Sequence, residues 1–186
     1  MTRYLSVVGV LLFSVAASAA PITIDFDGDT QSGVVILTQG FSFSSDLSSE
    51  IIGAGGPSGV AAYCPGCSVT MTNLAGGPFS LLSFDYLNPG FPQIGDTSFT
   101  VTGNYAGGGQ TSVLIDAPLV GAGGSAYSIA TLGAGWENLS SVVFGPSGNG
   151  TALVLDNIVV DVVPIPAAVW LFGTALMALG WFKRAA

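Results

Sequence analysis

Apolar and polar positions alternate along short stretches of this chain. In the segment 98–103, Phe99 and Val101 fall on one face and Ser98, Thr100 and Thr102 on the other. In 68–73, Val69 and Met71 oppose Thr70 and Thr72. A period of two is that of a half-buried β-strand. Segments 110–115 and 140–144 are rich in β-branched residues, and further strands are expected near 22–26, 34–38, 41–45, 60–63, 79–87, 127–132 and 152–161. Turn residues separate them: Gly53–Gly56, Pro78, Asn88-Pro89-Gly90, Gly107–Gly109, Gly121–Gly124 and Gly145-Pro146. The stretch FSLLSFDYL (79–87) is apolar on both faces, as a central strand of a two-sheet core should be. Many short strands at this spacing predict an all-β sandwich or barrel.

The pattern changes at both ends. Arg3 precedes an apolar stretch from Tyr4 to about Ala17, followed by the small residues Ala17-Ser18-Ala19. This order predicts a secretory signal peptide over 1–19. Cleavage is expected after Ala19, because a cut after Ala20 would leave Pro21 as the first residue. At the other end, 162–182 holds 21 residues without a charge, followed by Lys183 and Arg184. As a helix this length spans about 31 Å, against about 30 Å for a bilayer core. A membrane helix is therefore expected over 164–182, with its basic end on the cytoplasmic side. The exported body is then 20–161, large enough for one real core.

Charge narrows the function. The 186 residues carry a net charge of −8 and no histidine, and the only cations are Arg3, Lys183 and Arg184. All eleven carboxylates lie between the two end segments. A body without Lys or Arg has nothing to neutralise phosphates, so nucleic acid is excluded as a partner. A Ser-His-Asp or Cys-His site lacks its base, and a His-built zinc site lacks its ligands.

A few constellations remain. Cys64 and Cys67 flank Pro65-Gly66, a type II turn signal that brings its ends within reach of a disulfide. A structural bridge is the expectation in an exported protein, and a free or redox-active pair is the alternative. Asp25, Asp27 and Asp29 alternate, so in a strand they would share one face. They are candidate ligands for Ca2+. Asp156 can join them only if the first and last strands meet. Trp136, the only Trp of the body, could stack on a sugar ring or close one end of the core, and the core reading is favoured. Tyr63, Tyr86, Tyr105 and Tyr127 are similar candidates without a pattern. The Thr pairs 70/72 and 100/102 could face an ordered ligand, or be ordinary exposed strand faces. Paired carboxylates leave a glycan-active enzyme as the one catalytic alternative, but no local pattern selects a pair.

The tail also resembles a sorting signal. Val163-Pro164-Ile165-Pro166-Ala167-Ala168, with Trp170 following and Lys183-Arg184 closing the segment, resembles the PEP-CTERM signal of Gram-negative bacteria in its VPLPA-type variant. The resemblance implies recognition and cleavage by exosortase, a membrane-embedded cysteine transpeptidase. Ile165 stands where the usual motif has Glu, which leaves the exosortase type open. The body segments ITIDFDG, CPGCSVTMTNLAGGPFSLLSFDYL, VTGNYAGGG and LDNIVV resemble β-sandwich regions of PEP-CTERM proteins, and LDNI is similar to the closing strand of jelly-roll carbohydrate-binding modules. The resemblance implies a jelly-roll-like β-sandwich exported by the Sec pathway and held transiently in the inner membrane. It would end at the cell surface or in an exopolysaccharide matrix, non-catalytic, with sugar binding as the expected activity. A purely structural surface protein is the further alternative.

Overall fold

Among the described residues the chain forms thirteen strands. In chain order they are β1 (Ile22–Ile24), β2 (Ser32–Gly33), β3 (Val35–Thr38), β4 (Phe41–Ser45), β5 (Ile51–Gly53), β6 (Val60–Ala62) and β7 (Val69–Asn73). They continue with β8 (Phe79–Leu87), β9 (Ser98–Tyr105), β10 (Gln110–Asp116), β11 (Ser128–Thr131), β12 (Leu139–Pro146) and β13 (Leu153–Val162). The computed structural model describes residues 20–27, 32–45, 51–53, 59–62, 67–87, 98–117, 127–146 and 153–162. All belong to one compact unit, Ala19–Val163. The expected signal peptide with Ala19, the sorting residues Val163 to Arg184 and the helix over 164–182 lie outside the described residues, which include no helix long and apolar enough to cross a membrane.

Every pairing is antiparallel, and the strands fall into two layers. One layer runs β3-β4-β7-β12-β9-β10. The other is centred on β13. Its one edge pairs with β8, which in turn pairs with β11. Its other edge is shared by β6 and β1, and β5 and β2 extend the layer beyond β6. Leu139 pairs with Phe79 where β12 meets β8, which joins the layers at one corner. The result is an all-β, sandwich-like sheet.

Alternation explains what fills the space between the layers. Phe41 and Phe43 of β4, Val69 and Met71 of β7, Phe99 and Val101 of β9, and Val142 and Phe144 of β12 point inward and are buried. Phe79, Leu81 and Phe84 of β8 and Leu155, Ile158 and Val160 of β13 meet them from the other side. Phe84 contacts Phe144 edge-on with ring centroids 5.2 Å apart, and Phe41 contacts Phe79 at 5.3 Å. Each such buried side chain contributes about 1.5–3 kcal/mol, and edge-to-face pairing adds about 0.5–1.5 kcal/mol. FSLLSFDYL is a central strand, as its two-faced apolarity implies, with neighbours on both edges.

Two strands escape the sequence pattern. β2 and β5 have 2 and 3 residues, too short to show a period. β13 runs one residue past the expected boundary, so Val162 closes a strand instead of opening the tail.

Candidate functional site

The outward faces of the two layers differ in chemistry. Register aligns Ser42, Thr72, Ser141, Asn104 and Gln110 in one row across β4, β7, β12, β9 and β10. The next row is Ser44, Thr70, Val143, Thr102 and Ser112. The expected Thr pairs thus share one face. Its polar groups bond largely to one another: Ser42 Oγ lies 2.6 Å from Thr72 Oγ1, and Asn104 Nδ2 donates to Ser141 Oγ at 2.9 Å.

On the outward face of the other layer, Ile129, Asp85 and Asp156 form a row across β11, β8 and β13. This pairing sets two carboxylates opposite each other, which is unfavourable in a sheet unless donors intervene. Asn157 supplies them. It follows Asp156 at a break in register and sits at φ 45°, the left-handed region that Asn tolerates better than most residues. Its backbone N–H donates to Asp156 Oδ1 at 2.8 Å. Its side-chain Nδ2 donates to Asp85 Oδ2 at 3.0 Å and lies 3.5 Å from Asp156 Oδ2. The bulge therefore turns one amide across both acids.

The first and last strands do meet. β1 pairs with β13, Ile24 opposite Ile158. The chain beyond β1 passes beside Asp156, and the Phe26 backbone N–H donates to that carboxylate. Asp156 is 7% exposed, and burial pushes its carboxyl above the usual carboxylate range. The Asn157 and Phe26 N–H groups oppose that shift, and the charges of Asp27 and Asp85 reinforce it. Asp25 takes another direction: Gln39 Nε2 donates to its Oδ1 and its backbone carbonyl, each at 3.0 Å. Phe26 between them is buried against Phe43. Asp29 lies outside the described residues. Of the described members of the expected set, Asp27 approaches Asp156 while Asp25 bonds to Gln39. The charges that reach Asp156 are those of Asp27 and Asp85, and Asn157 bridges Asp85 and Asp156. Among the described residues no three His, Cys, Asp or Glu side chains are placed to share a metal ion.

An apolar cluster adjoins the acids, with Val154 and Leu87 buried and Tyr127 half-buried. Val154 pairs with Leu87, two positions before Asp156 on the same face of β13, and Tyr127 packs on both. Gly59 lies beneath: a Cβ there would meet Val154 Cγ1 at 2.6 Å, the Leu155 carbonyl at 2.8 Å and the Tyr127 hydroxyl at 3.1 Å. Ile129, opposite Asp85, is 70% exposed.

Trp136 does not take part. It is 6% exposed and belongs to the core, where its ring lies against Gly103. Its carbonyl accepts the Leu81 N–H at 3.0 Å. A sugar ring has no free face to stack on, so the stacking role is corrected to the core role. Tyr86 and Tyr105 also pack on the core, with hydroxyls that donate to the Asp116 and Gly135 carbonyls. Cys67 is buried, and Cys64 lies outside the described residues.

Sequence reasoning did not single out Asp85 or Asn157. The signals were a lone acid inside an apolar strand and a DN pair inside a β-branched one, where both types are normally depleted.

The chain matches no protein-family model and no curated protein. It is similar in fold to solved structures of two point variants of CBM29-2, described as a family 29 carbohydrate-binding module in a study of ligand recognition. One aligns with a TM-score of 0.51 and 14% identity over 77% of this chain and 91% of that one. The other has the same TM-score and identity over 79% and 94%. At this identity the likeness is one of fold.

Proposed function

We propose that this chain is an exported, non-catalytic surface or matrix protein that binds polysaccharide on the outward face around Asn157. The observation that carries this reading is the row Ile129–Asp85–Asp156, in which Ile129 is 70% exposed and Asp85 part-exposed, with the half-buried Tyr127 on the same face. Sugars present apolar C–H faces and rings of hydroxyl donors. Apolar and aromatic side chains suit the first, and carboxylates accept from the second. The body holds no Lys, Arg or His, so the hydroxyls of a sugar are suitable further donors to Asp85 and Asp156. The jelly-roll-like reading of the sandwich, and its likeness to carbohydrate-binding modules, support the same conclusion.

The ends set the address. The signal peptide directs Sec export, the 164–182 helix holds the body outside the inner membrane, and exosortase cuts at the Val163–Ala168 motif. Export favours a Cys64–Cys67 bridge. Ca2+ is the cation to test, because Asp156 feels the charges of both Asp27 and Asp85.

The test is affinity electrophoresis of the Ala19–Val163 unit through gels containing soluble polysaccharides, with and without Ca2+. Retardation by at least one polysaccharide is expected, and its loss in Asp85→Ala. Free mobility in every gel sinks the binding reading. Release of reducing ends from a retained polysaccharide, abolished in Asp85→Asn, would instead support the glycan-active enzyme. Mass spectrometry of the mature C-terminus with and without the host exosortase tests the sorting reading, and an intact Ala186 in both would end it.

A further inference from the structure

The six-strand layer ends at β10, whose strand neighbour among the described residues is β9 alone. The hairpin determines which backbone groups face outward. Tyr105 N–H donates to the Gly109 carbonyl at 3.0 Å, and Gly108 and Gly109 make the turn at φ 90° and 86°. Hydrogen-bonded pairs in an antiparallel ladder recur at every second position. The register Gly103–Thr111, Val101–Val113, Phe99–Ile115 therefore commits the backbones of Thr111, Val113 and Ile115 to β9. Gln110, Ser112, Leu114 and Asp116 aim their N–H and C=O groups away from it. The Asp116 carbonyl is held by the Tyr86 hydroxyl at 2.9 Å.

Natural edge strands are commonly blunted by Lys, Pro, bulges or brevity. β10 has 7 residues, no Lys, no Pro and an unbroken register with β9. Leu114 is 63% exposed, and Val113 and Ile115 are only partly buried against the core. Asp116 is the strand's one charge.

We propose that this edge pairs with β10 of a second copy of the chain, antiparallel about a two-fold axis through Val113. The strand is self-complementary in that register. Ser112 pairs with Leu114, and Gln110 pairs with Asp116, so all four outward-facing backbones on each copy find partners. Neighbouring registers leave some of them unmatched. Charge favours the same register. Each Asp116 faces a neutral Gln110, and the two carboxylates lie about 20 Å apart, beyond the Debye length at physiological salt. On the inner side Val113 meets Val113 and Thr111 meets Ile115, which covers the partly buried apolar groups. Two copies then form one continuous twelve-strand layer, an isologous contact that closes on itself.

The test is sedimentation velocity of the Ala19–Val163 unit across a hundredfold range of concentration at physiological salt. A concentration-dependent monomer–dimer equilibrium is expected. Ser112→Pro removes an outward N–H and leaves the β9 ladder intact, so the dimer should weaken at least tenfold. Leu114→Lys places two ammonium groups on a diagonal across the proposed pair and should act likewise, which covers the case in which the proline variant fails to fold. Circular dichroism and the thermal midpoint of the monomer check that each variant is folded. A wild-type unit that stays monomeric throughout, or folded variants that dimerise as well as wild type, would overturn the proposal.

Discussion

The two outward faces of this sandwich use polar residues in opposite ways. Across β4, β7, β12 and β9 the polar side chains are neutral hydroxyls and an amide that bond to one another, as in Ser42–Thr72 and Asn104–Ser141. Across β8 and β13 the polar side chains include two facing acids, Asp85 and Asp156, bridged by the amide of Asn157. A hydroxyl both donates and accepts, so a row of hydroxyls can satisfy itself. A carboxylate only accepts, so a row of carboxylates draws donors from elsewhere. In a body without Lys, Arg or His, elsewhere means neutral donors: backbone N–H groups, amides such as Asn157, hydroxyls, and whatever binds from solution. The number of polar groups is therefore a poor guide to a binding face, and the balance of donors to acceptors is a better one.

The comparison can be broken outright at the core that both faces share. Phe84→Ala removes the ring that bridges β8 to Phe144 of β12, and should cost about 3–5 kcal/mol in chemical denaturation. Both faces should be lost in one transition. A sharper cut is Gly59→Ala. Its methyl must displace Val154 or the Leu155 backbone beneath Tyr127, at about 1–3 kcal/mol. It should also weaken polysaccharide retention, and an unchanged stability would mean that the Tyr127 patch is looser than described.

Next comes the contrast in binding. Asp85→Ala should reduce polysaccharide affinity about tenfold or more, equivalent to about 1.4 kcal/mol. Thr72→Ala, on the hydroxyl face, should leave affinity unchanged and cost about 0.5–1.5 kcal/mol of stability for its bond with Ser42. Equal loss of affinity in both would remove the distinction between the faces.

The smallest effect is one of pH. The Asp156 carboxyl is raised in the fold, so the folded state holds its proton more tightly than the unfolded chain. The stability contributed by protonation is fully present below the ordinary carboxylate value of about 4 and is lost as pH rises through the raised folded value. Asp156→Asn, which stays neutral, should therefore gain over wild type at pH 7 and lose that advantage as the pH falls toward 4. Thermal melts across that range check it, and a gap that widens in acid would contradict the burial of this group.

Much of the fold is legible along the chain because a period of two is a local property. Phe99 and Val101 against Thr100 and Thr102 specify a half-buried strand before any neighbour is known. The candidate site was less legible. Asp25, Asp27 and Asp29 look like a set because they are close in sequence, yet Asp25 turns to Gln39 and the acids that approach Asp156 are Asp27 and Asp85. Trp136 drew attention as the lone Trp of the body, while Tyr127, equal among the body's four tyrosines in sequence, packs beside Leu87 and Val154 next to the facing acids.

The sequence by itself determined the strand pattern, the absence of Lys, Arg and His side chains from the body and the targeting expectations at both ends. Each rests on local order or on counting. Only the tertiary structure decided that β1 and β8 flank β13, and so that Asn157 reaches Asp85, 72 positions away. Strand pairing is a contest among distant segments, settled by which arrangement buries the shared core, and no local pattern carries its result.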